Sequence, residues 1–158
     1  MLNEAGYYFY QRGQFREAEA FFQQMLTICE RVLGPEHSDT LGALNNLANL
    51  YYLQGNYEQA EPLYQLALEA QERVLGPEHP DTLSTVNNLA NLYTDQGKYE
   101  QAAPLYRRAL ATYERVLGPE HPTTIQVREN YANLLQEMKR KTEAGRPKPK
   151  APRKQARN

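Results

Sequence analysis

The chain has 158 residues, of which 41% are hydrophobic and 23% are charged, a composition typical of a globular domain. No stretch approaches the roughly 18 consecutive apolar residues of a membrane span, and the first residues lack the basic-then-apolar pattern of a secretory signal. Cys29 is the single cysteine, which excludes a disulfide framework within the chain and suits a reducing compartment. We therefore expect a cytoplasmic protein that does not act in a membrane.

The net charge of −1 conceals an uneven distribution of charged side chains. Residues 1–138 carry 18 acidic and 9 basic side chains, whereas residues 139–158 carry 9 basic side chains and 1 acidic one. The sequence thus has an acidic body and a basic tail. A basic tail can bind nucleic acid by releasing its counterions. This tail has no aromatic residues between its charges, so we expect nucleic-acid binding only as an alternative function.

An internal repeat is the strongest signal in the sequence. The heptapeptide Arg-Val-Leu-Gly-Pro-Glu-His occurs at residues 31–37, 73–79 and 115–121, a spacing of 42 residues. Residues 45–82 and 87–124 are identical at 28 of 38 positions. Self-similarity at a period of this size is typical of solenoids, in which one structural unit is stacked on the next.

Each unit has the pattern of two helices, here called helix A and helix B. In the second unit, apolar residues recur at helical spacing from Leu44 to Tyr51, and Gly55 is suited to end that helix. Asn56 is expected to cap helix B, with Gln59 at the spacing of a capping box. Taken in chain order, the pattern predicts seven helices, near residues 2–12, 15–33, 40–54, 57–75, 81–96, 99–117 and 122–141.

These helices divide the chain into repeats at about 1–38, 39–80 and 81–122, followed by a final unpaired helix at 122–141. Residues 142–158 are basic and rich in proline, and they show no apolar periodicity. Such a segment buries too little surface to offset the entropy of ordering, so we expect it to be disordered.

Residues 46–68 resemble a tetratricopeptide repeat (TPR). The family's signature positions hold Ala48, Tyr51, Gly55, Ala60, Tyr64 and Ala67. The repeat length of 42 residues and the ending Gly-Pro-Glu-His resemble the kinesin light chain subtype rather than the usual 34-residue repeat. The resemblance covers residues 1–141 and implies an all-α, right-handed TPR solenoid of about 3.5 antiparallel helix pairs.

Two features depart from the family pattern. The position that is usually tryptophan holds Leu44, Val86 and Arg128, and the first unit begins within its helix A. We therefore expect this chain to be part of a longer array. Repeats of this subtype occur in bacterial signalling proteins, often behind a nucleotide-binding switch domain. The resemblance thus implies a protein–protein interaction module of a larger bacterial signalling or scaffold protein, without enzymatic activity and without a cofactor.

The concave side of such a solenoid is lined by the helices A and is where partners usually bind. Asparagine is a mediocre helix former, so its repetition there needs a reason, and a primary amide can both donate to and accept from a peptide backbone. We expect an extended peptide to lie against the groove-facing residues, namely Asn3, Tyr7, Tyr10, Asn45, Asn49, Tyr52, Asn87, Asn91, Thr94 and Asn133. The alternative is a structural role within the stack, which we expect for Asn46, Asn88 and Asn130.

The charge of this groove indicates what kind of partner it would accept. Its positions hold no lysine or arginine, while Asp95, Glu129 and Glu137 make it mildly acidic. We therefore predict partner segments that are neutral or basic and that carry apolar anchors for the tyrosines.

Other features receive simpler interpretations. His37, His79 and His121 lie one repeat apart, too far to share a metal ion, and are expected to cap the following helices. Cys29 has no nearby histidine, and the sequence contains neither a phosphate-binding loop nor a metal-ligand spacing. A structural rival to peptide binding is self-association through residues 1–30, where Tyr8 and Phe9 lack a preceding repeat to cover them.

Overall fold

The structure is a computed structural model that describes residues 2–144, with side chains from Glu4 onwards. This part of the chain contains seven helices and no strand. The helices are α1 (Leu2–Gln11), α2 (Phe15–Leu33), α3 (Ser38–Leu53), α4 (Tyr57–Val74), α5 (Pro80–Asp95), α6 (Tyr99–Val116) and α7 (Pro122–Ala144). The prediction of an all-α fold with three helix pairs and a final unpaired helix is confirmed.

The predicted helix ends agree with the structure to within two residues, with one exception. Helix α7 runs to Ala144 and so continues three residues past the predicted end at 141. The predicted disordered tail began at 142, and its residues 145–158 lie outside the described part of the chain.

The turn from helix A to helix B depends on a glycine in the left-handed region. Gly55 has a φ of 74°. In this conformation the backbone N–H of Asn56 donates to the carbonyl of Tyr51 at 2.8 Å, and the N–H of Gly55 donates to the carbonyl of Tyr52 at 2.9 Å. This pair of bonds is a Schellman motif, which ends α3 and starts α4 two residues later. Gly97 repeats it with a φ of 72°.

The histidines cap the helices A, as the sequence predicted. Nδ1 of His37 accepts the backbone N–H of Asp39 at 3.2 Å, and His79 does the same for Asp81. His121 accepts the N–H of Thr123 at the same distance. Each histidine therefore satisfies one of the donors that a helix leaves unpaired at its start.

The predicted capping box at Asn56 is wrong. Its side chain makes no cap bond, and its Nδ2 instead donates to Oε1 of Gln59 at 2.7 Å. The backbone of Asn56 has φ −86° and ψ 69°, outside the extended conformation from which an N-cap side chain reaches back to the helix. The glycine turn sets this geometry, since Gln14 and Lys98 hold the same position and also make no side-chain cap bond.

Successive helices pack against one another along the chain, and α3 also contacts α5, as α5 contacts α7. One core layer recurs in each repeat, where a large ring of helix B is buried in the same cluster as a small residue of helix A. Tyr64 and Ala48 are both fully buried, and Tyr106 and Ala90 occupy the equivalent positions 42 residues later. In the first repeat these positions hold Phe22 and Gly6, and a methyl group on Gly6 would overlap the phenylalanine ring.

We predict opposite effects for two glycine-to-alanine substitutions. Gly6→Ala should lower the free energy of unfolding by about 1 kcal/mol, because overpacking costs about 1–3 kcal/mol and the better helix propensity returns only about 1. Gly42→Ala is the matched control, since a methyl group there meets no atom within 4 Å, and it should raise that free energy by up to about 1 kcal/mol. Urea denaturation followed by circular dichroism measures both. A stabilising Gly6→Ala would contradict the packing described for Phe22.

Candidate functional site

The asparagines of the helix A surface are fixed from below by buried tyrosines of helix B. The hydroxyl of Tyr64 donates to Oδ1 of Asn49, and the hydroxyl of Tyr106 donates to Oδ1 of Asn91. Tyr64 and Tyr106 are buried, so their hydroxyls need these acceptors. Burial raises the pKa of the Tyr64 and Tyr106 phenols, which keeps them protonated as donors.

Other amides of this surface link one helix A to the next. Nδ2 of Asn130 donates to Oδ1 of Asn91 at 3.1 Å, which joins α7 to α5. Oδ1 of Asn45 accepts the hydroxyl of Thr85 at 3.1 Å, which joins α3 to α5. Asn49 also forms a hydrogen bond with Tyr7 of α1. This bond lowers the pKa of the Tyr7 phenol, but burial has the larger effect and raises it. Sequence reasoning divided the asparagines into ligand-facing and structural sets, but Asn45, Asn49 and Asn91 also hold the stack together.

Asn87 differs from its counterpart Asn45 in one respect. Its Oδ1 is buried and has no hydrogen-bond partner among the described residues. The residue that corresponds to Thr85, one repeat later, is Val127, which has no hydroxyl to donate. The unpaired oxygen thus follows from a single change between two otherwise similar repeats.

A cleft of about 310 Å³ lies on the helix A surface across α3, α5 and α7. Its lining residues are Tyr52, Asn91, Thr94, Asp95, Tyr106, Asn130 and Asn133. The Tyr52 hydroxyl donates to Oδ2 of Asp95 at 2.7 Å, and burial together with this carboxylate raises the pKa of Tyr52 far above its usual value. The lining contains amides, hydroxyls and one carboxylate but no basic side chain. Such a surface can hydrogen-bond a peptide backbone and favours a neutral or positively charged ligand.

The remaining predicted site residues whose side chains the structure describes lie outside this cleft. Tyr10 donates its hydroxyl to the carbonyl of Leu53 at 3.2 Å, and Tyr7 packs edge-on against Phe22 with ring centroids 6.0 Å apart. Asn46 and Asn88 are half-buried. The side chain of Asn3 lies outside the described part of the structure.

Tyr106 was not among the predicted groove residues; it is buried in the core and also lines the cleft. One signal could have revealed this dual role. The equivalent positions hold Phe22, Tyr64 and Tyr106, so a hydroxyl is present only where an asparagine faces it from helix A.

Both ends of the stack expose apolar side chains. On α1 and α2, Tyr8, Ile28 and Val32 are exposed by 53%, 46% and 67%. On α7, Arg128 takes a position that is apolar in the earlier repeats and bonds to Glu114 at 2.9 Å and to the Pro119 carbonyl at 3.1 Å. Ile125 and Leu135 of α7 are also exposed, by 36% and 47%, and the exposure of Val32 recurs at Val74 and Val116, so exposed apolar side chains are not confined to the first repeat.

Over residues 2–144, no group of histidine, cysteine, aspartate and glutamate side chains is arranged to hold a metal ion. None of the helices in this range has the length and apolar character needed to span a bilayer.

We predict that Asn49→Ala destabilises the protein, because it leaves the buried Tyr64 hydroxyl without an acceptor. The expected loss is about 1–3 kcal/mol, although alanine is the better helix former. Tyr64→Phe removes the other partner, and the double variant should be more stable than the sum of the two single effects implies. Urea denaturation of the four proteins in this cycle gives the coupling energy, and a coupling near zero would refute the bond between Asn49 and Tyr64.

Comparisons with known proteins agree with this architecture. The tetratricopeptide repeat family matches residues 1–60, 39–115 and 84–145, which together span most of the chain. A crystal structure of a kinesin-light-chain-type protein of Podosopora anserina with nearly identical TPR-like repeats superimposes with a TM-score of 0.82 at 27% identity. That superposition covers 90% of this chain and 68% of the other.

Two further matches are more limited. BtubC (BKLC) of P. vanneervenii superimposes with a TM-score of 0.75 over 99% of this chain and 68% of the other, at 22% identity, which shows a shared fold. A nucleotide-binding leucine-rich repeat (NLR)-like protein of Hyaloscypha variabilis is 40% identical over 45 residues, or 28% of this chain and 4% of that protein. The fold is that of a repeat scaffold for protein–protein interaction. The chain belongs to the tetratricopeptide repeat family and has repeats of the kinesin-light-chain-like type.

Proposed function

We propose that this chain binds an extended segment of a partner protein along its helix A surface. The observation that carries the proposal is the cleft at Tyr52, Asn91, Asp95 and Asn133, to which three helices A contribute polar side chains. Because Asn91 is held by hydrogen bonds to Tyr106 and Asn130, its amide is pre-organised, and binding loses little conformational entropy in ordering it.

The chemistry of the cleft defines the class of partner. Amides and hydroxyls can pair with the backbone of an extended peptide whatever its side chains are. The carboxylate of Asp95 favours a neutral or basic segment, and no cation of the lining would attract an acidic one. The rings of Tyr52 and Tyr57, with centroids 5.9 Å apart, offer an apolar surface for an anchoring side chain.

We further infer that the chain is the recognition part of a larger signalling or scaffold protein. The match to an NLR-like protein supports this setting, since the aligned segment is 4% of a much longer chain whose name includes nucleotide binding. A bacterial parent protein and a cytoplasmic location remain predictions from the sequence.

Self-association through residues 1–30 is a second candidate function, favoured by the exposed apolar side chains of Tyr8 and Ile28. A surface of this kind is often covered by another protein. The nucleic-acid alternative depends on the basic segment 145–158, which is outside the described residues.

Peptide binding can be tested with an array of extended peptides and calorimetry on the peptides that bind. Asn133→Ala should weaken all of them about 2- to 12-fold, the equivalent of a hydrogen bond worth about 0.5–1.5 kcal/mol. Asp95→Asn should weaken the basic peptides more than the neutral ones, because it removes the only carboxylate of the cleft lining. Gln101→Ala is the matched control, since Gln101 is exposed on α6 outside the cleft, and it should leave binding unchanged.

Two results would count against peptide binding at this cleft. Array hits that are uniformly acidic would contradict the charge argument. Equal affinities for the parent protein and Asn133→Ala would show that the cleft does not contact the peptide.

A further inference from the structure

A second and larger cleft, of about 580 Å³, lies at the N-terminal ends of α3 and α5. One wall is apolar and comes from α2, where Met25, Cys29 and Leu33 line it. The lining also includes Asp39 and Asp81, whose side chains are 72% and 63% exposed. The cleft thus combines apolar side chains with two negative charges that follow one another at the repeat spacing.

A buried polar group also lines this cleft. Gln71 of α4 is 1% exposed, and its Oε1 has no hydrogen-bond partner among the described residues. An unpaired buried amide oxygen destabilises a fold unless something else uses it. Gly42 lines the same cleft, and the space above it is open, because a methyl group there would meet no atom within 4 Å.

The polar groups of the cleft call for a cationic hydrogen-bond donor. Two carboxylates and an amide oxygen accept hydrogen bonds, and no lysine, arginine or histidine is among the lining residues. An arginine side chain matches this arrangement, since its guanidinium donates in several directions at once while its three methylenes can cover an apolar wall. Lysine carries the same charge, but its compact ammonium group has fewer hydrogen-bond donors than the planar guanidinium of arginine.

We propose that this cleft binds an arginine side chain of the partner segment, with its stem against Met25 and Leu33 and its guanidinium attracted by the charges of Asp39 and Asp81, close to Gln71. The inference rests on the proposed peptide binding and assigns that peptide a second contact. Asn45 borders this cleft and Tyr52 borders the other. The two residues are seven apart on α3, or about 10 Å along the helix, the length of about three residues of extended peptide.

The test uses the full chain and three matched probes, measured by calorimetry. The first is the acetylated and amidated peptide Ala-Arg-Leu-Ala-Leu-Ala, and the others carry lysine or the neutral arginine analogue citrulline in place of arginine. The arginine peptide should bind about 10-fold more tightly than the citrulline peptide at about 50 mM salt, with lysine in between. The difference should shrink at about 500 mM salt, because the carboxylates are exposed.

Three variants assign the effect to the cleft. Asp39→Asn/Asp81→Asn should reduce the preference for arginine over citrulline to less than about twofold. Glu58→Gln/Glu100→Gln is the charge-matched control, since both glutamates are exposed in the first turns of α4 and α6, and it should preserve the preference. Gln71→Leu should weaken the arginine peptide about threefold while leaving the thermal midpoint unchanged or higher, because it removes a buried unpaired group. A purely structural Gln71 would instead show a lower midpoint and unchanged binding.

The outcomes separate this inference from the proposed function. If the arginine and citrulline peptides bind with equal affinity, the peptide-binding function stands and the arginine site is refuted. If none of the peptides binds and no array peptide binds, the proposed function fails and the arginine site with it. If the arginine peptide binds only after residues 145–158 are deleted, the occupant is the chain's own basic tail. If Asp39→Asn/Asp81→Asn abolishes a dimer seen by sedimentation, the occupant is a second copy. Each of the last two results would overturn the proposal.

Discussion

The hydrogen bond from a buried helix B tyrosine to a helix A asparagine connects the core of this protein to its surface. The ring of Tyr64 belongs to the core, and its hydroxyl reaches Asn49 on the helix A surface of the same repeat. Tyr106 and Asn91 form the same pair in the next repeat. Because the ring is fixed by packing, the amide it holds is fixed as well, and the recognition surface inherits the rigidity of the core.

This connection constrains how the protein can change. A substitution at a groove asparagine alters stability as well as binding, since it leaves a buried hydroxyl unpaired. The positions that can vary without loss of stability are those that do not accept a hydrogen bond from a buried hydroxyl. Asn133, which is exposed on α7, is one of them. Arg73 forms an ion pair with Glu36 at 2.5 Å, and the pair recurs 42 residues later as Arg115 with Glu78. Both pairs are exposed, so they contribute little to stability.

The sequence was sufficient to predict the fold because its signals are periodic and redundant. Apolar stripes, a glycine at each turn and a histidine at each helix A start recur three times, so a local ambiguity in one repeat is resolved by the others. The capping box at Asn56 failed because the glycine turn before it fixes a backbone angle that the sequence pattern does not reveal. The end of α7 was underestimated because its last residues are polar, and a helix end without an apolar stripe has no clear signal.

The roles of the individual asparagines were harder to predict. The oxygen of an asparagine side chain can accept a hydrogen bond within the stack while its nitrogen donates one to a ligand. The residue type alone therefore does not indicate whether an asparagine is structural or binds a ligand. The sequence analysis did not predict the cleft that contains Gln71 either, because its lining comes from four successive helices, α2 to α5, and so from more than one repeat. Nothing in a single repeat indicates that Asp39 and Asp81 border the same space.

The central claim, recognition of an extended segment on the helix A surface, is tested most directly by nuclear magnetic resonance of the side-chain amides. The ¹⁵N-labelled protein is titrated with a neutral or basic peptide selected from an array. The account predicts saturable shifts of the Asn91, Asn130 and Asn133 side-chain amides, with no change at Gln65, an exposed residue of α4 that does not line the cleft. Shifts confined to α1 and α2, or to residues 145–158, would contradict it.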